Sequence, residues 1–218
     1  MEQATKLKYF LLSLVLAIVF YPFLEGGGIN EIILQGLFSA TLIFGVSVIS
    51  SEKHFLISLI LAIATFATVL GLIIEGNLGW LIIANYIFSI LFYSFIMIRL
   101  LTYITSSVKV HNETIYAAVC VYLLMGVTGG MIYLLIEQVH PGSFLTPYKA
   151  EQLTRADLIY FSYVTLTTTG YGDIIAASTY ARSFAILESI IGVLYVAVLI
   201  SRLVGGYSRE KDRKVSQK

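Results

Sequence analysis

Charge is scarce in this chain of 218 residues: Asp, Glu, Lys and Arg make up 12% of it, against 58% hydrophobic residues. Its mean hydropathy is +0.87. A soluble domain carries roughly 25% charged residues, so a soluble enzyme is excluded, as is a nucleic-acid binder held by a basic face. The formal net charge of +1 implies no partner through overall electrostatics. Cysteine is almost missing as well. Cys120 stands alone inside an apolar run, so there is no intrachain disulfide and no reading of redox compartment. Two of the three prolines, Pro141 and Pro147, fall in one short stretch.

What fills the chain is long apolar runs. Six are long enough to cross a bilayer as helices: Leu7–Leu24, Ile32–Ser50, Phe55–Ile74, Trp80–Ile98, Ile115–Ile136 and Ala181–Val204. The first, preceded by Lys6 and Lys8, is too long for a cleaved signal and has no small-x-small site before Glu25, so it is expected to be retained. Runs of this length lack the alternation of a membrane barrel. The chain therefore reads as an all-α membrane protein of six transmembrane helices.

The loops set the orientation. On the side of the termini lie Lys6, Lys8, Lys53, Arg99, Lys109, Arg202, Arg209, Lys211, Arg213, Lys214 and Lys218; opposite them lie only Lys149, Arg155 and Arg182. Positive residues stay inside, so both termini are expected in the cytoplasm and the protein in the plasma (inner cell) membrane. The outer side carries Glu25, Glu31, Glu75, Glu137, Glu151, Asp157 and Asp173. Such an acidic surplus concentrates cations if it surrounds an opening, and it is also what the positive-inside rule leaves behind.

Between the fifth and sixth runs the pattern changes. His140–Ala150 reads as an exposed loop. Thr154-Arg155-Ala156-Asp157 reads as a capping box with Thr154 as N-cap and Asp157 reaching back. It opens one short helix, Leu158 to about Thr167, too short to span and hence re-entrant. It runs into Thr167-Thr168-Thr169-Gly170-Tyr171-Gly172-Asp173. Non-helical backbone at membrane depth survives only where protein buries it or it lines water, and glycine at 170 and 172 admits φ values denied to other residues.

The run Thr168–Asp173 resembles the selectivity filter of tetrameric potassium channels, T-V/I/L-G-Y-G-D in that family. The resemblance covers about Ile115–Gly206. It implies a pore domain over 111–206, after a four-helix region at 1–110 and before a short basic tail at 207–218. It implies K+ at rings of oxygens from Thr168, Thr169, Gly170 and Tyr171, with Gly172 completing the filter and the Thr168 hydroxyl the innermost site. Filter support falls to Thr167, Asp173 and Tyr160, and the Tyr171 ring is expected to pack outward on the short helix. Gly192 stands at the spacing of the family's inner-helix hinge, with close packing an equal reading. Val193, Val196 and Ile200 then face a cavity. Gly126, Gly129 and Gly130 read as packing positions. This chain departs from the family at Thr169, where a branched aliphatic is usual and whose hydroxyl needs a partner behind the filter. Val164 is apolar where some members place an acid, and Ala176 replaces a common proline.

Glu188 is the buried acid, the one well inside a span, and a functional candidate by default. At about 100° per residue it lies on a different face from Val193, Val196 and Ile200. A bracing role is expected, with donors on Tyr163, Thr165 or Thr167. The fourth run carries only Arg99, where a voltage sensor needs several spaced arginines. The tail is too short for a folded ligand-binding domain; its basic residues read as an orientation signal or an attraction for anionic lipid. His54, His111 and His140 read as solvated, and the tyrosines and Trp80 as interfacial anchors and core.

The expected function is a potassium-selective homotetrameric channel, not an enzyme. Its partners are three further copies, membrane lipid and K+, with no cofactor and no nucleic acid. A weakly selective cation channel remains open, as does a non-conducting accessory subunit or transporter. Transporters usually show internal repeats, and here one filter segment has no mirrored counterpart.

Overall fold

In hydrocarbon every backbone N–H and C=O must be satisfied within the protein, so long apolar runs become helices. The structure, a computed structural model, describes residues 2–24, 40–48, 52–75, 78–106, 112–147 and 153–216. In chain order these form α1 (Glu2–Leu24), the helical stretch 40–48 taken as α2, α3 (Glu52–Glu75), α4 (Gly79–Ser106) and α5 (Asn112–Val139). There follow β1 (Phe144–Leu145), α6 (Arg155–Leu166), β2 (Ile175–Ala176) and α7 (Thr179–Ser216). Among the described residues α1, α3, α4, α5 and α7 are long and apolar enough to cross a bilayer. The chain is a multi-pass, all-helical membrane protein. The second expected span, Ile32–Ser50, falls largely outside the described residues, as does the turn Glu25–Glu31.

One boundary differs from expectation. The apolar run stops near Val204, yet α7 continues unbroken to Ser216. Residues 209–214 are Arg, Glu, Lys, Asp, Arg and Lys, mostly good helix formers with no proline among them. Most of the expected tail is thus a continuation of the helix.

Helix α5 lies at the centre, with α1, α4, α6 and α7 all packed on it; α3 packs on α4. Both α1 and α4 pack on α5. Their shared core joins Leu7, Phe10 and Leu14 of α1, Phe92, Ile96 and Leu100 of α4, and Cys120, Val121 and Leu124 of α5. Burial is uneven: 56% of the apolar window of α5 is enclosed, but only 11% of that of α7.

Three glycines of α5 explain how α6 reaches the centre. Each costs about 1 kcal/mol relative to alanine in a helix interior, and each removes a side chain where another group must fit. A Cβ at Gly126 would fall on the Tyr163 ring, one at Gly129 on Glu188 Oε1 and Ser162 Oγ, and one at Gly130 on the backbone of Ile159. The expected packing role of these glycines is what the structure has.

Hydroxyl groups then tie the neighbours to the α5 backbone. Tyr195 donates to Ala118 O at 2.7 Å, Tyr163 to Leu123 O at 2.7 Å, and Ser162 Oγ lies 2.7 Å from Gly126 O. A helical carbonyl keeps a second lone pair after its own helix bond, and a hydroxyl buried away from water needs such an acceptor. Tyr163 and Tyr195 are thus interior fasteners rather than interfacial anchors.

The end of the molecule beyond α5 is closed by the pairing of β1 with β2, Phe144 opposite Ala176 and Leu145 opposite Ile175. Glu137 at the end of α5 accepts from Gly142 N at 2.8 Å and Phe144 N at 3.1 Å. The stretch expected as a plain loop is therefore a fastened turn up to Pro147; residues 148–150 lie outside the described residues. His140 is exposed, as expected, and stacks on Tyr180 with centroids 4.6 Å apart. His54 departs from the expectation of a solvated side chain, since its Nδ1 is buried with no hydrogen-bond partner among the described residues; His111 lies outside the described residues.

The glycine face sets a prediction. In Gly130→Ala the new Cβ meets main chain that no rotamer change can move, and overpacking of this kind costs about 1–3 kcal/mol. The thermal midpoint of the purified protein should fall. Gly79→Ala, where nothing lies within 4 Å, should leave it unchanged.

Candidate functional site

The site is built from the amino end of α6 forward. Thr154 caps the helix: its Oγ1 accepts from Asp157 N at 3.3 Å, and Asp157 Oδ2 accepts from Thr154 N at 2.9 Å. The expected capping box is present. After twelve residues α6 stops at buried Leu166, and its last carbonyls are taken by the chain that follows. Tyr163 O receives Thr167 N at 3.0 Å, Thr165 O receives Thr168 N at 2.9 Å, and Val164 O receives Thr169 N at 2.9 Å and Gly170 N at 3.3 Å.

The backbone then alternates. Thr168, Gly170 and Gly172 have φ of +55°, +57° and +78°, while Thr169, Tyr171 and Asp173 are not in the positive region. Glycine adopts such angles freely; a β-branched threonine there is an outlier, with a cost of order 1–3 kcal/mol. That strain at Thr168 was not readable from residue type. Alternation of sign turns the peptide groups of neighbouring residues to a common side. Among the described residues no hydrogen bond reaches the carbonyl of Thr168, Thr169, Gly170 or Tyr171. Every residue from Thr167 to Gly172 is exposed in the single chain.

Side chains brace this segment from behind. Thr167 Oγ1 donates to Tyr163 O at 2.7 Å and lies 2.9 Å from Thr169 Oγ1, so the unusual hydroxyl at 169 has its partner. Tyr160 donates to Asp173 Oδ2 at 2.7 Å, and Asp173 Oδ1 accepts from Ile174 N at 3.1 Å. The hydrogen bond to Asp173, with some burial and the acid's charge, pushes the Tyr160 phenol up to about 12 from its usual 10.0, so it remains a donor throughout the physiological range. The Tyr171 ring, expected against the short helix, is instead 72% exposed.

Helix α7 closes the back of the site. At Gly192 a Cβ would fall on Leu166 O, the end of α6, and α7 is unbroken through this position. Close packing is what the geometry has there. Ser189 Oγ lies 3.3 Å from Thr165 O. Glu188, 5% exposed, points at α5 and α6 and away from Val193, Val196 and Ile200, which are 54%, 39% and 55% exposed. The face argument holds, but the donors differ. Tyr133 OH lies 2.5 Å from Glu188 Oε2 and Ser162 Oγ 2.6 Å from Oε1, whereas Tyr163 is turned to Leu123 O and Thr167 to its own helix. Tyr133 lies 55 residues before Glu188, on a helix whose rotation no local pattern reveals. The same ring packs edge-on to Phe144, Phe161 and Phe184.

Residues 117–205, from α5 to α7, match a family model described as ion channel. A curated protein of Oryza sativa subsp. japonica, two pore potassium channel c, is 41% identical over 83 residues, which are 38% of this chain and 16% of that protein. The chain thus spans less than a fifth of the length of that relative, 16%. No solved structure matches. The matched region is similar to ion channels, and it contains the filter-like segment, its bracing residues and Glu188 with its partners.

Removing the Tyr160 phenol tests the bracing. Tyr160→Phe leaves Asp173 with its bond to Ile174 N alone, so amide exchange across 171–175 should quicken several-fold in hydrogen–deuterium exchange. The thermal midpoint should shift by less than about 0.5 kcal/mol equivalent, as for a surface change.

Proposed function

We propose that four copies of this chain surround a common axis and conduct K+ passively. The observation that carries the reading is the exposed segment Thr168–Tyr171, strained into alternating φ, whose carbonyls accept nothing among the described residues. Backbone oxygens left bare in this way are what a dehydrated cation needs in place of its water shell. One chain supplies one side of such a ring, and four supply a complete one. The exposed face of α7 and the uncovered Tyr171 ring are the surfaces that neighbouring copies would bury.

In this arrangement Thr168, Thr169, Gly170 and Tyr171 offer the successive oxygens, with the Thr168 hydroxyl innermost. The carboxyl end of α6 carries the negative end of its helix dipole, roughly half an elementary charge, close to that inner site. Val193, Val196 and Ile200 line an apolar cavity below. Gly192, with no Cβ, serves α7 both as a close contact and as the place to bend. The name of the rice relative supports potassium as the ion. The pairing of Thr169 with Thr167 favours a firm filter, and so a selective pore, over a loosely selective one. The positive-inside pattern supports both termini being cytoplasmic, in a protein of the plasma membrane.

Purified protein reconstituted in vesicles should pass K+ with Na+ largely excluded, and Ba2+ should block it near Thr168. Equal Na+ and K+ fluxes would favour the weakly selective channel, and no flux from a particle with the mass of four chains the accessory subunit. Open probability should vary little with voltage, because α4 carries only Arg99. A charge–voltage relation of several elementary charges would overturn that reading of α4.

A further inference from the structure

Three oxygen–oxygen contacts meet around Glu188: Tyr133 OH to Oε2 at 2.5 Å, Ser162 Oγ to Oε1 at 2.6 Å, and Ser162 Oγ to Gly126 O at 2.7 Å. All are at or below the usual O–H···O separation of about 2.7–2.8 Å. Each therefore holds a hydrogen of its own, since one shared between two acceptors would leave both contacts longer. The Gly126 carbonyl has no hydrogen to give, so that contact takes the Ser162 proton. Ser162 then has none left for Glu188. Tyr133 supplies the contact at Oε2, with the Thr165 side chain bonded to its phenol. The remaining contact needs a hydrogen on Glu188 itself. A carboxylate leaves two hydrogens for three contacts; a carboxylic acid makes three.

The surroundings agree with this count. Facing Glu188 are Tyr133 of α5 and Tyr163 of α6, with Tyr93 of α4 and Tyr122 of α5 beyond them. Among the described residues no Lys, Arg or His interacts with the carboxyl. At Gly129 the place of a Cβ is already filled by Glu188 Oε1 and Ser162 Oγ, so on that side the carboxyl abuts main chain. A charge at a residue 5% exposed, with no cation among the described residues and no spare donor, is costly in such a setting.

We propose that Glu188 is a proton-binding site: a neutral carboxylic acid that donates to Ser162, accepts from Tyr133 and so locks α7 to both α6 and α5. Loss of the proton sets Glu188 Oε1 and Gly126 O in competition for one hydrogen and leaves a bare charge between helices. The lock then loosens one turn from the contact of Gly192 with Leu166. Alkaline conditions release α7, and acidic conditions leave it fastened.

The test uses the full chain in lipid vesicles, with isotope-labelled glutamate carboxyls followed by infrared spectroscopy. Its readout is independent of ion flux, so it stands or falls apart from the channel reading. At neutral pH the wild type should show a protonated-carboxyl band that is lost in Glu188→Gln and fades as the medium becomes strongly alkaline. The thermal midpoint of the wild type should drop over the same range. That of Glu188→Gln, whose amide donates to Ser162 and accepts from Tyr133, should drop less than half as far. Absence of the band in the wild type at neutral pH, its persistence in the Gln variant, or equal drops in both proteins would overturn the proposal. Should the Gln variant fail to fold, the wild-type band and its loss on alkalinisation decide alone.

Discussion

Close approach of α6 to the glycine face of α5 is the constraint on which the rest of the structure depends. A helix of twelve residues has no stability to spare by itself, and it holds its place because Gly126, Gly129 and Gly130 let Tyr163, Ser162 and Ile159 settle onto main chain. Once there, hydroxyls from α6 and α7 find acceptors on α5 at Ala118, Leu123 and Gly126. Contacts between membrane helices of this kind are individually modest, about 0.6–2 kcal/mol. Their effect is positional. They set where Leu166 ends, and so where the strained segment after it begins.

That segment is supported on one side only. Behind it stand the carbonyls of Tyr163, Val164 and Thr165, the Thr167–Thr169 pair, and Tyr160 holding Asp173. In front, Thr167–Gly172 stand exposed among the described residues. Strain at a β-branched residue with φ of +55° persists only where surrounding bonds over-determine it, and here the bonds behind do so. A rigid back and an open front suit a surface completed by symmetry. The same asymmetry appears in α7, fastened along one face through Glu188 and Gly192 and bare along the other.

Much of this was legible beforehand because it rests on local rules. Thr154 and Asp157 are three residues apart, the spacing of a capping box, and form one. Gly170 and Gly172 mark positive φ, and both have it. The face of Glu188 followed from helical geometry alone. Its partners did not: Tyr133 is on a helix whose rotation relative to α7 is settled by packing, and Ser162 faces it only because Gly129 is small. The Tyr171 ring, expected on the short helix, stands exposed because what a side chain meets depends on tertiary surroundings that residue order does not report. The continuation of α7 past Val204 was missed because hydropathy reports where a span ends, not where helix-forming residues do.

By itself the sequence determined the class of molecule, the positions of five of its apolar helices and where the backbone turns to positive φ at glycine, since apolar length, capping spacing and glycine positions act through neighbours along the chain. Only the tertiary structure decided which hydroxyl meets which carbonyl, that Thr168 is bent into positive φ, and that Glu188 sits among three short oxygen–oxygen contacts. The physical reason is the contact distance. Hydrogen bonds and steric fits between helices turn on about an ångström, and that is set by how helices rotate and slide against one another, which no local pattern encodes.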